Sequence, residues 1–562
     1  MELIQQLSQE LKLRPAQVEA AVRLLDEGNT IPFIARYRKE MTDSLDDAAL
    51  RDLSDRLEYL RNLQKRREEV IRSITEQEKL TPELETAIQA AATLAEVEDL
   101  YRPYKPKRRT RGSIAREKGL EPLAAAIRVQ NTLREPLSMA AEYVNPEKGV
   151  ETAEDALSGA MDIIAEDISD DGEIRKALRL LIHRAAVVTA TGDSTENTTY
   201  KMYYDFKEPV GRIAPHRVLA INRGEKEEFL KVSLTVDEDT VLKGLRTKIL
   251  KTNGSPATPH VAEALTDSYE RLIAPSIERE IRSDIFDNAC EGAIKVFADN
   301  LSHLLMQSPL KGKTVLGFDP GYAHGCKLAV VDKTGKVVDT GVIYPVKPRQ
   351  ETEKSKAIVK RMIERHHVDV IAIGNGTASK ESEIFIAGLL REIPADVKYI
   401  VVSEAGASIY SASKLAAEEF PEFDVMQRSA VSIARRLQDP LAELIKIDPK
   451  GIGVGQYQHD MKQARLDEAL GGVVEDCVNA VGVDVNTASY SLLSYISGIN
   501  LASAKNIVRY REENGEFTYR AQLLKVPRIG AKAYEQAAGF LRVPDGKEIL
   551  DNTGVHPESY EA

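Results

Sequence analysis

Thr314-Val315-Leu316-Gly317-Phe318 runs apolar into Asp319-Pro320-Gly321, the pattern of a short buried strand that stops at a turn. Residues 327–331 and 336–343 read as two further strands around Lys333-Thr334-Gly335, which makes them a hairpin. A helix is expected over about 351–366 and a strand over 368–373, ending at Gly374-Asn375-Gly376. A second helix over about 379–392 and a strand over 399–403, ending at Glu404, complete the segment. The order β-β-β-α-β-α-β is that of a ribonuclease-H-like domain. Its early hairpin separates it from a doubly wound βαβ fold.

Outward from this segment the chain reads as helix. Leu3, Leu7 and Leu11, then Val18, Val22 and Leu25, recur at helical spacing, and Gly28 ends the run. The fold class is therefore multidomain and mainly α, with one α/β ribonuclease-H-like domain. We divide the chain into a helical region over 1–200, with helix-turn-helix-like parts, and a mixed then helical region over 201–310. The α/β domain covers 311–440, a helical connector 441–484 and a pair of helical hairpins 485–545. Residues 546–562 begin a truncated C-terminal region.

Composition narrows the function. At roughly 150 residues per domain, 562 residues exceed one core. Lys+Arg 76 against Asp+Glu 88 leave a net charge of −12, which argues against a protein that coats DNA over its whole surface but allows local basic faces. Trp is absent and aromatics are 6%, which speaks against broad stacking platforms. The three cysteines, Cys290, Cys326 and Cys477, are too far apart for a Cys-x-x-Cys site and fit a reducing compartment. The chain opens on an amphipathic helix and holds no apolar run of about 18 residues. A cytoplasmic protein with no membrane partner is expected.

Three constellations could carry chemistry. Asp319 ends the first strand of this segment and Glu404 ends the last; ribonuclease-H-like nucleases hold Mg²⁺ between carboxylates at such strand ends. Two acids are fewer than that arrangement normally uses, so they are treated as vestigial candidates, with no metal and no cofactor expected. The second constellation is a pair of hairpin turns, Ser497-Gly498-Ile499-Asn500 and Pro527-Arg528-Ile529-Gly530, 30 residues apart. Helices are expected over 487–496, 501–513, 519–525 and 531–541. A tight turn that opens a helix presents backbone N–H groups to an anion. Gly498, Lys505, Arg509, Arg528, Gly530 and Lys532 are the candidate phosphate contacts, with Gly530 expected where the turn needs positive φ. The third is a basic segment: from Tyr101 to Leu120 there are eight Lys/Arg against Glu117 alone. Lys105, Lys107, Arg108, Arg109 and Arg111 could track phosphates.

Other matches fail. Gly312-Lys313-Thr314 resembles the end of a phosphate-binding loop, but Gln307 stands where glycine is required. Gly451-Ile452-Gly453-Val454-Gly455 lacks the strand–turn–helix context of a dinucleotide site. His366-His367 has no partners at metal spacing.

Several strings together resemble the bacterial Tex proteins, transcription accessory factors. They are Thr30 to Glu40, Tyr104 to Leu120, Tyr203-Tyr204-Asp205-Phe206, Gly317 to Gly321, Ile452 to Asp460 and Asp484 to Ser489. The resemblance implies a helical scaffold, a YqgF-type ribonuclease-H-like domain, tandem helix-hairpin-helix units and a C-terminal S1 domain that this sequence does not reach. Where the wider YqgF family places a further acid, this chain has Ser429. Where the hairpin motif has paired glycines, it has Asn500 and Arg528. The expected function is sequence-nonspecific binding of RNA or DNA through phosphates in support of transcription. The alternatives are a Mg²⁺-dependent nuclease using Asp319 and Glu404, and an adaptor that docks on RNA polymerase or the ribosome.

Overall fold

A computed structural model describes residues 2–105, 109–193, 198–394, 396–453 and 455–561. Two compact units divide the chain. One is Arg56–Ala293; the other joins Met1–Asp55 to Ile294–Ala562. Both divisions fall inside long helices, Asp47–Glu76 and Ala274–Leu305. No described helix is long and apolar enough to cross a membrane.

The unit Arg56–Ala293 is mostly helical and carries one antiparallel sheet. Its strands are β1 (Val187–Thr191), β2 (Asp205–Pro209) and β3 (Lys231–Thr235), in the order β2-β1-β3. A helical region was expected over 1–200. Instead Ala186 turns extended after the helix Gly172–Ala185, and the β-branched side chains of Val187, Val188, Thr189 and Thr191 suit the pleated strand that follows. The helix Pro215–Lys226 starts on a proline and buries Val218, Leu219 and Ile221. Among the other helices Asp99 is buried between Arg175 (3.0 Å) and Arg179 (2.7 Å).

The second unit contains a five-stranded sheet: β4 (Val315–Asp319), β5 (Cys326–Val331), β6 (Val337–Ile343), β7 (Val370–Gly374) and β8 (Lys398–Val402). Its order is β6-β5-β4-β7-β8. β5 runs antiparallel to β4 and β6, while β4, β7 and β8 are parallel, which is the ribonuclease-H-like topology read from the sequence. β4 is central and covered on both faces, so residues 315–318 are all buried. The helices Thr352–His366 and Ser379–Leu390 cover one face through Val359, Met362, Phe385 and Leu389. The helix Val425–Gln438 covers the other through Ala430, Val431, Ile433 and Ala434. A Cβ at Gly317 would run into the Ala430 carbonyl. Glycine in the middle of β4 is therefore what lets this helix lie against the strand.

The hairpins follow the helix Gln463–Val481. Short parallel strands β9 (Val483–Asp484) and β10 (Leu541–Arg542) close them at their two ends. Residues 28–38 pack on this region within the same unit. Arg38 pairs with Glu535 (2.6 Å) and Glu558 (3.1 Å), the Tyr37 hydroxyl donates to the Gly554 carbonyl (3.0 Å), and Gln536 donates to the Gly28 carbonyl (3.1 Å). The string Thr30 to Glu40 thus serves as a clamp on the hairpin pair.

Candidate functional site

Asp319 ends β4 directly opposite Lys327 of β5. Lys327 is the single charge in an otherwise apolar strand and is only 8% exposed. Burial raises the Asp319 carboxyl above its ordinary range; the Ser429 hydroxyl bonded to it and the Lys327 charge pull it partly back. The approach allowed by Gly317 thus puts Ser429 beside Asp319, at the position where the family resemblance placed an acid. Glu404 follows β8 and is also raised, first by burial and then by the Asp319 charge. The Gly376 N–H and Arg436 oppose that rise. A side chain at Gly374 or Gly376 would collide with the Glu404 carboxylate, so these glycines form its cradle.

Arg436 lies on the same helix as Ser429, is buried, and donates to the Ser403 (2.9 Å) and Ala405 (2.7 Å) carbonyls that flank Glu404. Burial depresses its own protonation, opposed by Glu443 and Glu404. Each candidate acid therefore has an internal cation nearby, Lys327 for Asp319 and Arg436 for Glu404. Among the described residues no group of three or more His, Cys, Asp or Glu is placed to hold a metal. His366 instead contacts Asp339 at 2.9 Å.

The raised carboxyls have a pH consequence. The native state holds these protons more tightly than the unfolded chain, so the stability they contribute is full at low pH. It is lost as pH rises from the ordinary carboxylate range through the raised folded values. Glu404→Gln should gain stability relative to wild type as pH rises across that window, read by urea unfolding at several pH values. A difference that stays constant with pH would refute a half-buried, destabilised Glu404.

The two hairpin turns share one geometry. Ile499 N–H donates to the Ile496 carbonyl (2.9 Å) and Ile529 N–H to that of Val526 (3.1 Å). Gly498 (φ 77°) and Arg528 (φ 70°), 30 residues apart, both adopt the left-handed conformation. Positive φ was expected at Gly530. That residue is instead extended at φ −88° and caps the helix Ala531–Ala538, with open space around a built Cβ. Asn500 takes the corresponding place in the first hairpin and accepts from Ser503 N–H (2.9 Å) to cap Leu501–Asn514. It is a helix cap rather than a lost glycine. Ile529 is buried, and Arg528 and Arg509 are exposed.

Lysines divide between roles. Lys505 is exposed and lies 5.2 Å from the Tyr490 ring centre. Lys532 donates to the Glu27 carbonyl beyond the helix Pro15–Asp26, where a cation suits the negative helix end. It belongs to the clamp.

The basic segment lies in the unit Arg56–Ala293, and the candidate cations Lys105, Arg109 and Arg111 have acidic neighbours. Lys105 pairs with Glu98 (3.5 Å) and Arg109 with Glu117 (3.8 Å). The Arg111 charge acts on Asp162 and Asp267. Lys107 and Arg108 lie outside the described residues. Sequence reading missed Lys327 and Arg436. The lone lysine in β5 was a visible signal, whereas nothing local marks Arg436.

Comparisons with known proteins agree with this architecture. The sequence matches the Tex-like protein N-terminal domain over residues 1–75, the Tex central region over 131–297, the Tex protein YqgF-like domain over 313–438 and a helix-hairpin-helix motif over 478–542. It is 52% identical to the protein YdcI of Bacillus subtilis, covering 100% of this chain and 78% of that one. It is 48% identical to Protein tex of Bordetella pertussis, covering 99% and 73%. The transcriptional accessory protein Tex of Neisseria gonorrhoeae is likewise 48% identical, over 100% and 74%. With a five-stranded YqgF-like sheet, a hairpin pair and this identity along its whole length, the chain belongs to the Tex family.

Proposed function

We propose that this chain is a cytoplasmic transcription accessory factor that binds nucleic acid without sequence preference, and that its ribonuclease-H-like domain is a non-catalytic scaffold. The observation that carries the binding reading is the repeated turn. Two left-handed residues thirty positions apart each open a capped helix, and Lys505, Arg509 and Arg528 are exposed beside them. Backbone N–H groups and flexible cations of this kind hold phosphates and read no base edge. The scaffold reading is supported by Ser429, whose hydroxyl bonds Asp319 at the place of the further acid, and by the Lys327 and Arg436 charges, which act on Asp319 and Glu404. A relative's name, transcriptional accessory protein, agrees with both.

The left-handed φ of Arg528 decides which variant tests the binding. Arg528→Gly removes the cation while keeping a residue that adopts this turn freely. It should lower affinity equally for unrelated duplexes and reduce the log–log salt slope by ~0.9 per lost contact, with an unchanged melting temperature. Lys505→Ala with Arg509→Ala should do the same at the first hairpin. An unchanged slope in both variants would make the hairpins packing elements only, which is the outcome the adaptor reading expects.

A further inference from the structure

Beside the second hairpin lies a cavity of about 430 Å³, and its lining differs from every phosphate contact described above. Tyr519, Tyr534 and Tyr560 contribute aromatic wall, and Gln522, Lys525 and Glu548 contribute polar groups. The chain has 20 tyrosines and no tryptophan, so three tyrosines in one cavity are a local concentration of its scarce aromatic surface. Tyr519 is 39% exposed, with the Lys547 ammonium 5.8 Å from its ring centre. The Tyr560 hydroxyl is held between Asp551 (2.6 Å) and Arg520 (2.7 Å), so that wall is fixed before any ligand arrives. Tyr534 is on the helix that Gly530 caps, and Lys525 precedes the turn that carries Arg528.

The volume lies within the range of roughly 300–1,000 Å³ that small-molecule pockets occupy. Flat aromatic walls with a few hydrogen-bonding groups suit a planar heteroaromatic ring, which stacks on tyrosine and offers its edge to an amide or carboxylate. Lys525 lines the cavity and Arg528, three residues on, is exposed; both are cations suited to the phosphates that flank such a base. A paired base is stacked inside its duplex and cannot reach the cavity, whereas an unpaired one can.

We propose that this cavity receives one unstacked nucleobase of a single-stranded nucleic acid whose backbone runs past Lys525 and Arg528. The proposal rests on the nucleic-acid reading above and adds a preference to it. The hairpins alone hold any phosphate backbone, and the cavity favours strands with a free base.

The test uses oligonucleotides of one length, as single-stranded RNA, single-stranded DNA and duplex DNA, with wild type, Tyr519→Ala and Arg528→Gly. Tyr519→Ala should weaken single-strand binding about ten-fold and leave duplex binding unchanged. Arg528→Gly should weaken all three. A 2-aminopurine placed in the single strand should lose fluorescence on binding wild type and keep it on binding Tyr519→Ala. RNA and DNA arms that differ identify the sugar the site prefers, and either one showing the Tyr519 effect supports the cavity. Equal losses on single strand and duplex with Tyr519→Ala, or no loss on either, overturn the cavity while the Arg528→Gly result stands by itself. Circular-dichroism melting of each variant separates loss of binding from loss of fold. If Tyr519→Ala melts early, Lys525→Gln with the same 2-aminopurine strand replaces it, and unchanged quenching and affinity there overturn the proposal.

Discussion

Arg520→Ala should destabilise its unit by about 3–5 kcal/mol, the loss expected when one member of a buried ion pair is removed. Arg520 is 1% exposed. Its guanidinium donates to the carbonyls of Leu541 (2.9 Å), Val555 (2.8 Å) and Thr553 and to the Tyr560 hydroxyl (2.7 Å). Its own backbone N–H donates to Asp551 (2.8 Å), a carboxylate that is itself buried. Alanine would leave that buried carboxylate without its cation and take the Arg520 donor from the Val555 and Thr553 carbonyls. Residues 541–560 should then become protease-sensitive before the rest of the chain unfolds, because Arg520 is what gathers them. Thermal unfolding and limited proteolysis read both effects. A variant that melts with wild type and resists cleavage over 541–560 would show that the segment is held by its other contacts.

Gly317→Val should be comparably damaging, about 3 kcal/mol or more, through overpacking against backbone rather than a flexible side chain. The Cβ alone would strike the Ala430 carbonyl and approach Ala434. The helix Val425–Gln438 would have to move off the sheet, taking Ser429 away from Asp319 and Arg436 away from the carbonyls beside Glu404. Unfolding by urea measures the loss. A cost within 1 kcal/mol would mean that the helix slides freely and that Ser429 is not placed by this contact.

How much of this was legible in the sequence depends on how local each cause is. The strand order of the ribonuclease-H-like domain was readable because each strand is a short apolar run with a turn at its end, as at Asp319-Pro320-Gly321. The hairpin turns were readable from their thirty-residue spacing. The conformation within them was not: a glycine in the motif invites the left-handed assignment, and the chain puts Arg528 there and leaves Gly530 extended. The strand β1 was hidden because it follows a helix after one residue. Tertiary charge pairing was out of reach in the same way. Lys532 meets a carbonyl about 500 residues earlier, at Glu27, and Arg111 feels Asp162 and Asp267. Neither partner is near in sequence, so both cations read as free.

The most direct test of binding without cutting is a single incubation of the purified protein with two labelled duplexes of unrelated sequence in the presence of Mg²⁺. Retardation is followed first, and strand length is followed after the protein is digested away. The account predicts affinities for the two duplexes that agree within about two-fold, as backbone contacts require, and full-length strands recovered from both. A ten-fold preference for one sequence, or Mg²⁺-dependent shortening that Asp319→Asn abolishes, would contradict it.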